Sequence, residues 1–355
     1  VWQTHPLLHE LAKEYLHKDP SVMEKLQRQF VNATIAALAQ LRDDFRHNQP
    51  VARIFDVLKA DLMEISAGLL QDGRIIAALN LLENASSILM DAGYLAEYHS
   101  WMNQMKAQLS SLELPVEPMS QVVSNFVSLH DGAIHASLNE WDYARERWRA
   151  VNFSSVDDPE ILQFVLGQII KARSFELILV SRQGRIDEAQ MVLENAQREF
   201  RNLDVDIEQQ PEWQEALIEW FIALGDLQSA NQAAQAALAL YQYEDNRAKT
   251  FHIQKTIADI LVMDKEYETA EFSLRRLLLE EISSLTIKAE LHIDLALVLL
   301  QNRKAEDALA QLDQAKHILD IFPAETVNDS LARLWSYRAW GSEQLGKAPD
   351  AIDQA

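Results

Sequence analysis

Histidines and carboxylates are the side chains of this sequence that could bind a metal or move a proton, and their spacing argues against both roles. His130 and His135 flank an acid in the run His130-Asp-Gly-Ala-Ile-His135. A separation of five puts the two rings on different sides of a helix, whereas a shared metal needs the i, i+4 pair. Both are expected to be partly exposed helix histidines, and no metal or other cofactor is expected. Other histidines are scattered: His5, His9, His17 and His47 near the front, His252, His292 and His317 apart. Asp43-Asp44, Asp157-Asp158 and Glu280-Glu281 look like solvated helix faces, and an acid catalyst would need one carboxyl in an apolar pocket. Asp157-Asp158-Pro159-Glu160 fits a helix start, with acids at the positive end of the dipole. With no Cys there is no thiolate ligand, disulfide or Cys nucleophile. Neither a Gly-x-Ser-x-Gly elbow nor a Gly-x-x-x-x-Gly-Lys-Ser/Thr phosphate loop occurs. No catalytic residue is expected, and a helical enzyme is the remote alternative.

The charge balance narrows the partners. Thirty-two basic residues face 54 acidic ones, a net charge of −22, so the outer field repels phosphate backbones and anionic lipid. Neither nucleic acid nor membrane is an expected partner. The longest apolar stretch near the end, Leu295 to Leu300, is far too short to span a bilayer. Val1 to Leu16 lacks the layout of a signal peptide, and the lack of Cys suits a reducing cytoplasm, the expected location. Beginning at Val rather than Met, the chain is expected to be a piece of a longer product.

What would position any site is a set of long helices. Hydrophobic residues make up 48% of the 355 and charged residues 24%, enough apolar surface for a core, while Gly and Pro number nine each, too few for a turn-rich sheet fold. Five segments repeat a turn that ends in Ala: Gln71-Asp-Gly-Arg-Ile-Ile-Ala-Ala78, Gln183-Gly-Arg-Ile-Asp-Glu-Ala189, Leu224-Gly-Asp-Leu-Gln-Ser-Ala230, Asp264-Lys-Glu-Tyr-Glu-Thr-Ala270 and Gln301-Asn-Arg-Lys-Ala-Glu-Asp-Ala308. Weaker copies end at Ala144 and Ala351. The alanines are spaced 66, 45, 41, 40, 38 and 43 residues apart. Four residues on come Leu82, Trp148, Leu193, Ala234, Leu274 and Leu312, and three further Ala85, Val151, Ala196, Ala237, Leu277 and Ala315. Those offsets share one helix face, whose small residues let a partner helix approach closely. Upstream of each alanine lies a second apolar-periodic helix, for instance Ile287, Leu291, Leu295 and Val298. The unit is thus a helix-turn-helix pair, with Glu188 expected on its solvent side. An unrelated helical bundle shares the period of the helices but has no reason to repeat a turn. A coiled coil is broken too often by turns.

Leu295-Ala296, Leu299, Ala308, Leu312 and Ala315 stand at the signature spacings of tetratricopeptide repeats. The chain resembles that family over roughly residues 51–355, most clearly over 160–319. The resemblance implies an all-α, right-handed superhelix of helix pairs that binds ligands and does not catalyse. It departs in three ways: the family's first-helix Gly occurs once, as Gly132, with Ser66, Leu177, Ile218, Ala258, Ala296 and Ala339 in the other units; the closing Pro is missing; and the spacing exceeds the usual repeat of about 34 residues. Three parts are expected: N-terminal helices in 1–50; a helix pair plus an extra helix near Leu95 to Leu109 in 51–113; and the array in 119–355, after a Leu114-Pro-Val-Glu-Pro118 linker. The head, Trp2-Gln-Thr-His-Pro-Leu-Leu-His-Glu-Leu-Ala-Lys-Glu-Tyr-Leu16, is similar to the end of the winged-helix segment of STAND signalling NTPases, which implies a sensor attached to a switch module.

In the tetratricopeptide family the first helix of each pair lines the concave face. The positions carried across are Lys171, Ser174 and Arg182; Glu212, Glu215 and Glu219; His252, Lys255 and Asp259; Glu290 and Gln301; and Arg333, Trp340 and Glu343. Bases at both ends and acids between imply a peptide, protein or small inducer of mixed charge. The eight tryptophans are expected mostly in the core. Self-association through the open ends of the array is the alternative to ligand binding.

Overall fold

The computed structural model describes residues 62, 64–70, 72–91, 98–100, 102–104, 106–107, 119–152, 158–280, 285–321 and 328–346. The winged-helix-like head, the Leu114–Pro118 linker and the weak copy at Ala351 lie outside them. Every regular element among the described residues is helical: α1 Ile75–Asp91, α2 Met119–Ser137, α3 Trp141–Ala150, α4 Pro159–Arg182, α5 Ile186–Asn202, α6 Pro211–Leu224, α7 Leu227–Tyr243, α8 Arg247–Met263, α9 Tyr267–Leu278, α10 Leu285–Gln301, α11 Ala305–Leu319 and α12 Asn328–Gln344, with one 3-10 turn at Ile207–Gln209. The chain divides into two compact units, residues 1–45 with 51–119 and residues 46–50 with 120–355. In the first, residues 64–70 lead through a turn at Gly73 into α1, which buries Ala78, Leu79, Leu82 and Ala85.

In the second unit each helix packs on the next. The pairs α4/α5, α6/α7, α8/α9 and α10/α11 are joined by two or three residues, while α7 also packs on α8, α9 on α10 and α11 on α12. Connections that short between helices that touch make antiparallel hairpins. First helices also pack on one another, α4 on α6 and α10 on α12.

The repeated turn is a helix C-terminus closed by one left-handed residue. Gly184 and Gly225 hold that position at φ 67° and 76°, and Asn139, Lys265 and Arg303 hold it at 63°, 64° and 58°. The amide after it reaches back five residues: Glu140 to the His135 carbonyl, Arg185 to Val180, Asp226 to Phe221, Glu266 to Leu261 and Lys304 to Leu299, at 2.8 to 3.2 Å. This 6→1 bond satisfies a carbonyl that the helix end would otherwise strand. Asp226 and Asn246 accept from the Ser229 and Lys249 amides and so start α7 and α8.

All six alanines that end the repeated turns in the described residues, 78, 144, 189, 230, 270 and 308, have no exposed surface. The positions four and seven residues on are buried too. Sizes are complementary across most of the hairpins, the α4/α5 pair being the exception with Leu177 and Leu193 both large. Where the second helix carries Trp148, the first carries Gly132, and a Cβ at that glycine would lie 2.4 Å from the Trp148 Nε1. Ala234 is buried in one cluster with Ile218, and Leu274 and Leu312 are buried with Ala258 and Ala296. Ala189→Leu and Ala308→Leu should each overpack a crossing and cost about 1–3 kcal/mol. Lys316→Gln, which breaks only an exposed pair with Asp320, should barely move the midpoint of urea unfolding.

Two expectations fail here. Glu188 is not a bland solvent-side residue: it pairs with Arg145, with Arg185 at 2.5 Å and with Arg149 at 3.6 Å, and Arg145 also lies 3.8 Å from the buried Glu176. These pairs draw α3, α4 and α5 together and hold the Glu188 carboxyl below its usual pKa against the opposing effect of burial. Nor is His130 partly exposed; only 5% of it meets solvent, and its ring centroid lies 4.2 Å from that of Phe126.

Candidate functional site

The hairpin packing puts α4, α6, α8, α10 and α12 in the same position in successive units, and a chain of charged contacts runs along them. Arg182 at the end of α4 pairs with Glu219 of α6 at 2.5 Å, a bond that raises the arginine's pKa. One turn earlier on α6, Glu215 accepts from the Tyr241 hydroxyl of α7 and from the Lys249 ammonium of α8 at 3.1 Å. Burial, then the Glu215 charge, pushes the Tyr241 phenol well above its usual range. His252 follows Lys249 on α8. It reaches solvent, yet the protein around it thins its water and lowers its pKa, with Lys249, Lys255 and Arg182 adding to the effect and Glu215 opposing it.

The next group joins three helices. The Lys255 ammonium lies 3.1 Å from Asp259 one turn on and 3.0 Å from Asp294 of α10. Arg333 of α12 pairs with the same Asp294 and stands 6.0 Å over the Tyr337 ring. Burial is the largest single influence on both cations and works against them, but the charge and hydrogen bond of Asp294, joined by Asp259 at Lys255 and by Tyr337 at Arg333, together outweigh it, so both pKa values are raised. Asp259 and Glu290 face the opposite balance: burial lifts both carboxyls above the usual range. Three carboxylates thus meet two cations, and Glu290 has no ion-pair partner among the described residues.

Of the residues carried across from the resemblance, Arg182, Glu215, Glu219, His252, Lys255, Asp259, Glu290 and Arg333 join this belt. Lys171 is half-buried on α4. Ser174 is 1% exposed, inside the packing, and its hydroxyl has no hydrogen-bond partner among the described residues. Gln301 is exposed at the end of α10, and Trp340 lies against the apolar core beside Trp335. Three members were missed. Asp294, 6% exposed, is the hub, and its one signal was a lone acid inside the apolar run Leu291-His-Ile-Asp-Leu-Ala-Leu-Val. Tyr241 and Lys249 sit at a second-helix end and a first-helix start, outside the positions that the resemblance supplies.

No family model matches the sequence, and neither does any curated protein. Among solved structures, a tetratricopeptide repeat protein from Parabacteroides merdae superposes with a TM-score of 0.43 at 13% identity, over 78% of this chain and 98% of that one. BtubC from P. vanneervenii superposes with a TM-score of 0.32 at 12% identity, over 82% of this chain and 91% of that one. At those scores neither likeness bears weight, and the paired-helix description stands on the contacts given above. Among the described residues no helix is long and apolar enough to cross a membrane, and no three His, Asp or Glu side chains are grouped to hold a metal.

Proposed function

We propose that this chain is a binding module that holds a peptide or protein of mixed charge, or a small inducer, along the belt of first helices. The observation that carries the reading is a row of charge groups on successive first helices, Arg182 with Glu219, Lys249 with Glu215, and Lys255 with Asp259 and with the Asp294 that Arg333 shares, where burial and neighbouring charge shift several of the pKa values. Charges held in fixed positions select a partner by complementary charge more than they add raw affinity. The winged-helix-like Trp2–Leu16 segment supports a finer reading, the sensor or regulatory part of a larger cytoplasmic signalling or transcription-regulating protein. Ligand binding would then shift how neighbouring pairs stack.

Arg182 is the residue to test, since it is 65% exposed and can be changed without emptying the core. On an array of charged peptides, Arg182→Glu should weaken the peptides that bind the wild type best by about tenfold, and Glu219→Arg in the same chain should recover part of that loss. Equal binding by all three proteins sinks the proposal. Self-association is the second reading, favoured by Tyr243, Leu279 and Ile321, which are 92%, 87% and 65% exposed where α7, α9 and α11 end. A molar mass independent of concentration in light scattering removes it.

A further inference from the structure

Where the α2–α3 turn meets the α4–α5 turn the surface opens into a hollow of about 570 Å³, lined by Glu140, Trp141, Asp142, Tyr143, Gln183 and Arg185. Its aromatic walls are only partly explained by the repeat. Three residues before the turn's alanine the other described units have an apolar side chain that is buried or half-buried: Ile75, Ile186, Leu227, Tyr267 and Ala305. Trp141 stands at that position here, larger than any of these, and remains 37% exposed. One residue before the alanine the other units carry Ala77, Glu188, Ser229, Thr269 and Asp307. Only here is that position aromatic, and Tyr143 is 43% exposed. Packing of the turn does not call for a ring at that position.

The Tyr143 ring is also held in place. It lies 4.1 Å from the His135 ring, centroid to centroid, and its hydroxyl donates to the buried Asp131 at 3.4 Å. A side chain ordered before its ligand arrives loses little freedom on binding. The charge at the mouth is negative. The lining holds two carboxylates, Glu140 and Asp142, against one cation, Arg185, which lies 2.5 Å from Glu188; Asp142, its side chain 96% exposed, has among the described residues only Arg185 at 3.9 Å. Aromatic faces carry negative charge density, and a cation over them within about 6 Å is attracted. A carboxylate beside the rings adds to that attraction and excludes anions.

From these walls and this charge we infer that the hollow takes an organic cation, an alkylammonium or guanidinium group, against Trp141 and Tyr143 with Asp142 as its counter-ion. The site is separate from the belt of first helices, so the two can be tested independently. An open site of this kind should bind with a dissociation constant of order 1 mM. The test follows the tryptophan indole N–H signals of the ¹⁵N-labelled full chain, with the Trp141 signal identified as the one lost in Trp141→Phe. Acetyl-Ala-Arg-Ala-amide, spermidine and acetyl-Ala-Glu-Ala-amide are titrated in turn. The expected result is a saturable shift of the Trp141 signal with a cation and none with the glutamate peptide. Asp142→Asn should raise the dissociation constant about threefold with an unchanged melting point because its side chain is exposed. Tyr143→Ala should raise it at least about fivefold, and since it also loses the His135 contact and the bond to Asp131, its fold is checked by the unshifted signals of the other tryptophans. Binding of the arginine peptide alone assigns the cation to a protein partner, and binding of spermidine alone to a free polyamine. No saturable shift with either cation, an equal shift with the glutamate peptide, or full binding by Tyr143→Ala overturns the inference.

Discussion

Gly132→Ala should lower stability by about 2–3 kcal/mol, although alanine is the better helix former by about 1 kcal/mol. The reason is the pair that Gly132 makes with Trp148. The added methyl carbon would lie 2.4 Å from the indole nitrogen and 2.6 Å from Cδ1, so the ring must leave its seat. Moving it breaks the bond in which the indole N–H donates to the buried Leu129 carbonyl at 3.1 Å and separates the ring from Phe175, 5.6 Å away. A stranded indole N–H, lost packing and the overpacking itself then act together. Trp148→Leu in the same chain should recover more than half of the loss, since the units of α8/α9 and α10/α11 carry an alanine and a leucine at the same two positions, Ala258 and Leu274, Ala296 and Leu312, all of them buried. Urea unfolding of wild type, the two single variants and the double variant gives the coupling directly. Additive losses would mean that the glycine matters through the backbone and not through the tryptophan.

Asp294→Ala should cost about 2 kcal/mol, and Glu290→Gln, one turn away on the same helix, should cost nothing or stabilise. Removing Asp294 leaves Lys255 and Arg333 facing each other without their shared anion. Breaking a fully buried pair costs about 3–5 kcal/mol; the figure is smaller here because the Arg333 side chain is 42% exposed and partly rehydrates. Glu290 has the opposite sign. Burial raises its pKa, so the folded chain holds that proton more tightly than the unfolded chain does. The stabilisation from such a group is complete below its ordinary pKa and is lost as pH rises through the raised one. From about pH 4 to pH 7, wild type should therefore lose stability that Glu290→Gln keeps. Melting points of the three proteins across that range settle the matter, and a Glu290→Gln curve parallel to wild type would show that the surplus acid carries no strain.

The repeat was legible because its physics is local. A turn that closes on one left-handed residue and a buried alanine six residues or fewer beyond it leave a pattern that a single sequence shows, and all six described alanines are buried. Sizes at the crossings were legible as facts without a meaning: Gly132 stood out as the one glycine in its position, but that it answers Trp148 needed the two helices side by side. The belt was half legible. Arg182, Glu219, Lys255 and Arg333 come from positions on the first helix, whereas Asp294 looked like an intruder in an apolar run, because what excuses a buried acid is cations supplied by the helices to either side. Ser174 failed for the converse reason: a polar side chain on the expected face lies under its neighbours. His130 and Glu188 show the same limit, since exposure depends on what packs against a helix and the sequence of that helix does not say.

The two kinds of connection differ in how much length they tolerate. First helices pass to second helices across two or three residues every time, while the return passages after α5, α7, α9 and α11 use eight, three, six and eight. One rim of this array is therefore metered and the other is slack. Spacings from 38 to 45 residues can coexist with alanines that all land in register, because the spare length is let out beyond helix ends that are already closed, as the Val205 and Asn246 amides close α5 and α7 on the Phe200 and Tyr241 carbonyls. Evolution can splice extra chain into the slack rim and leave the neighbouring pairs undisturbed, but a single residue inserted at the metered one would rotate every side chain that follows in its helix out of the seam.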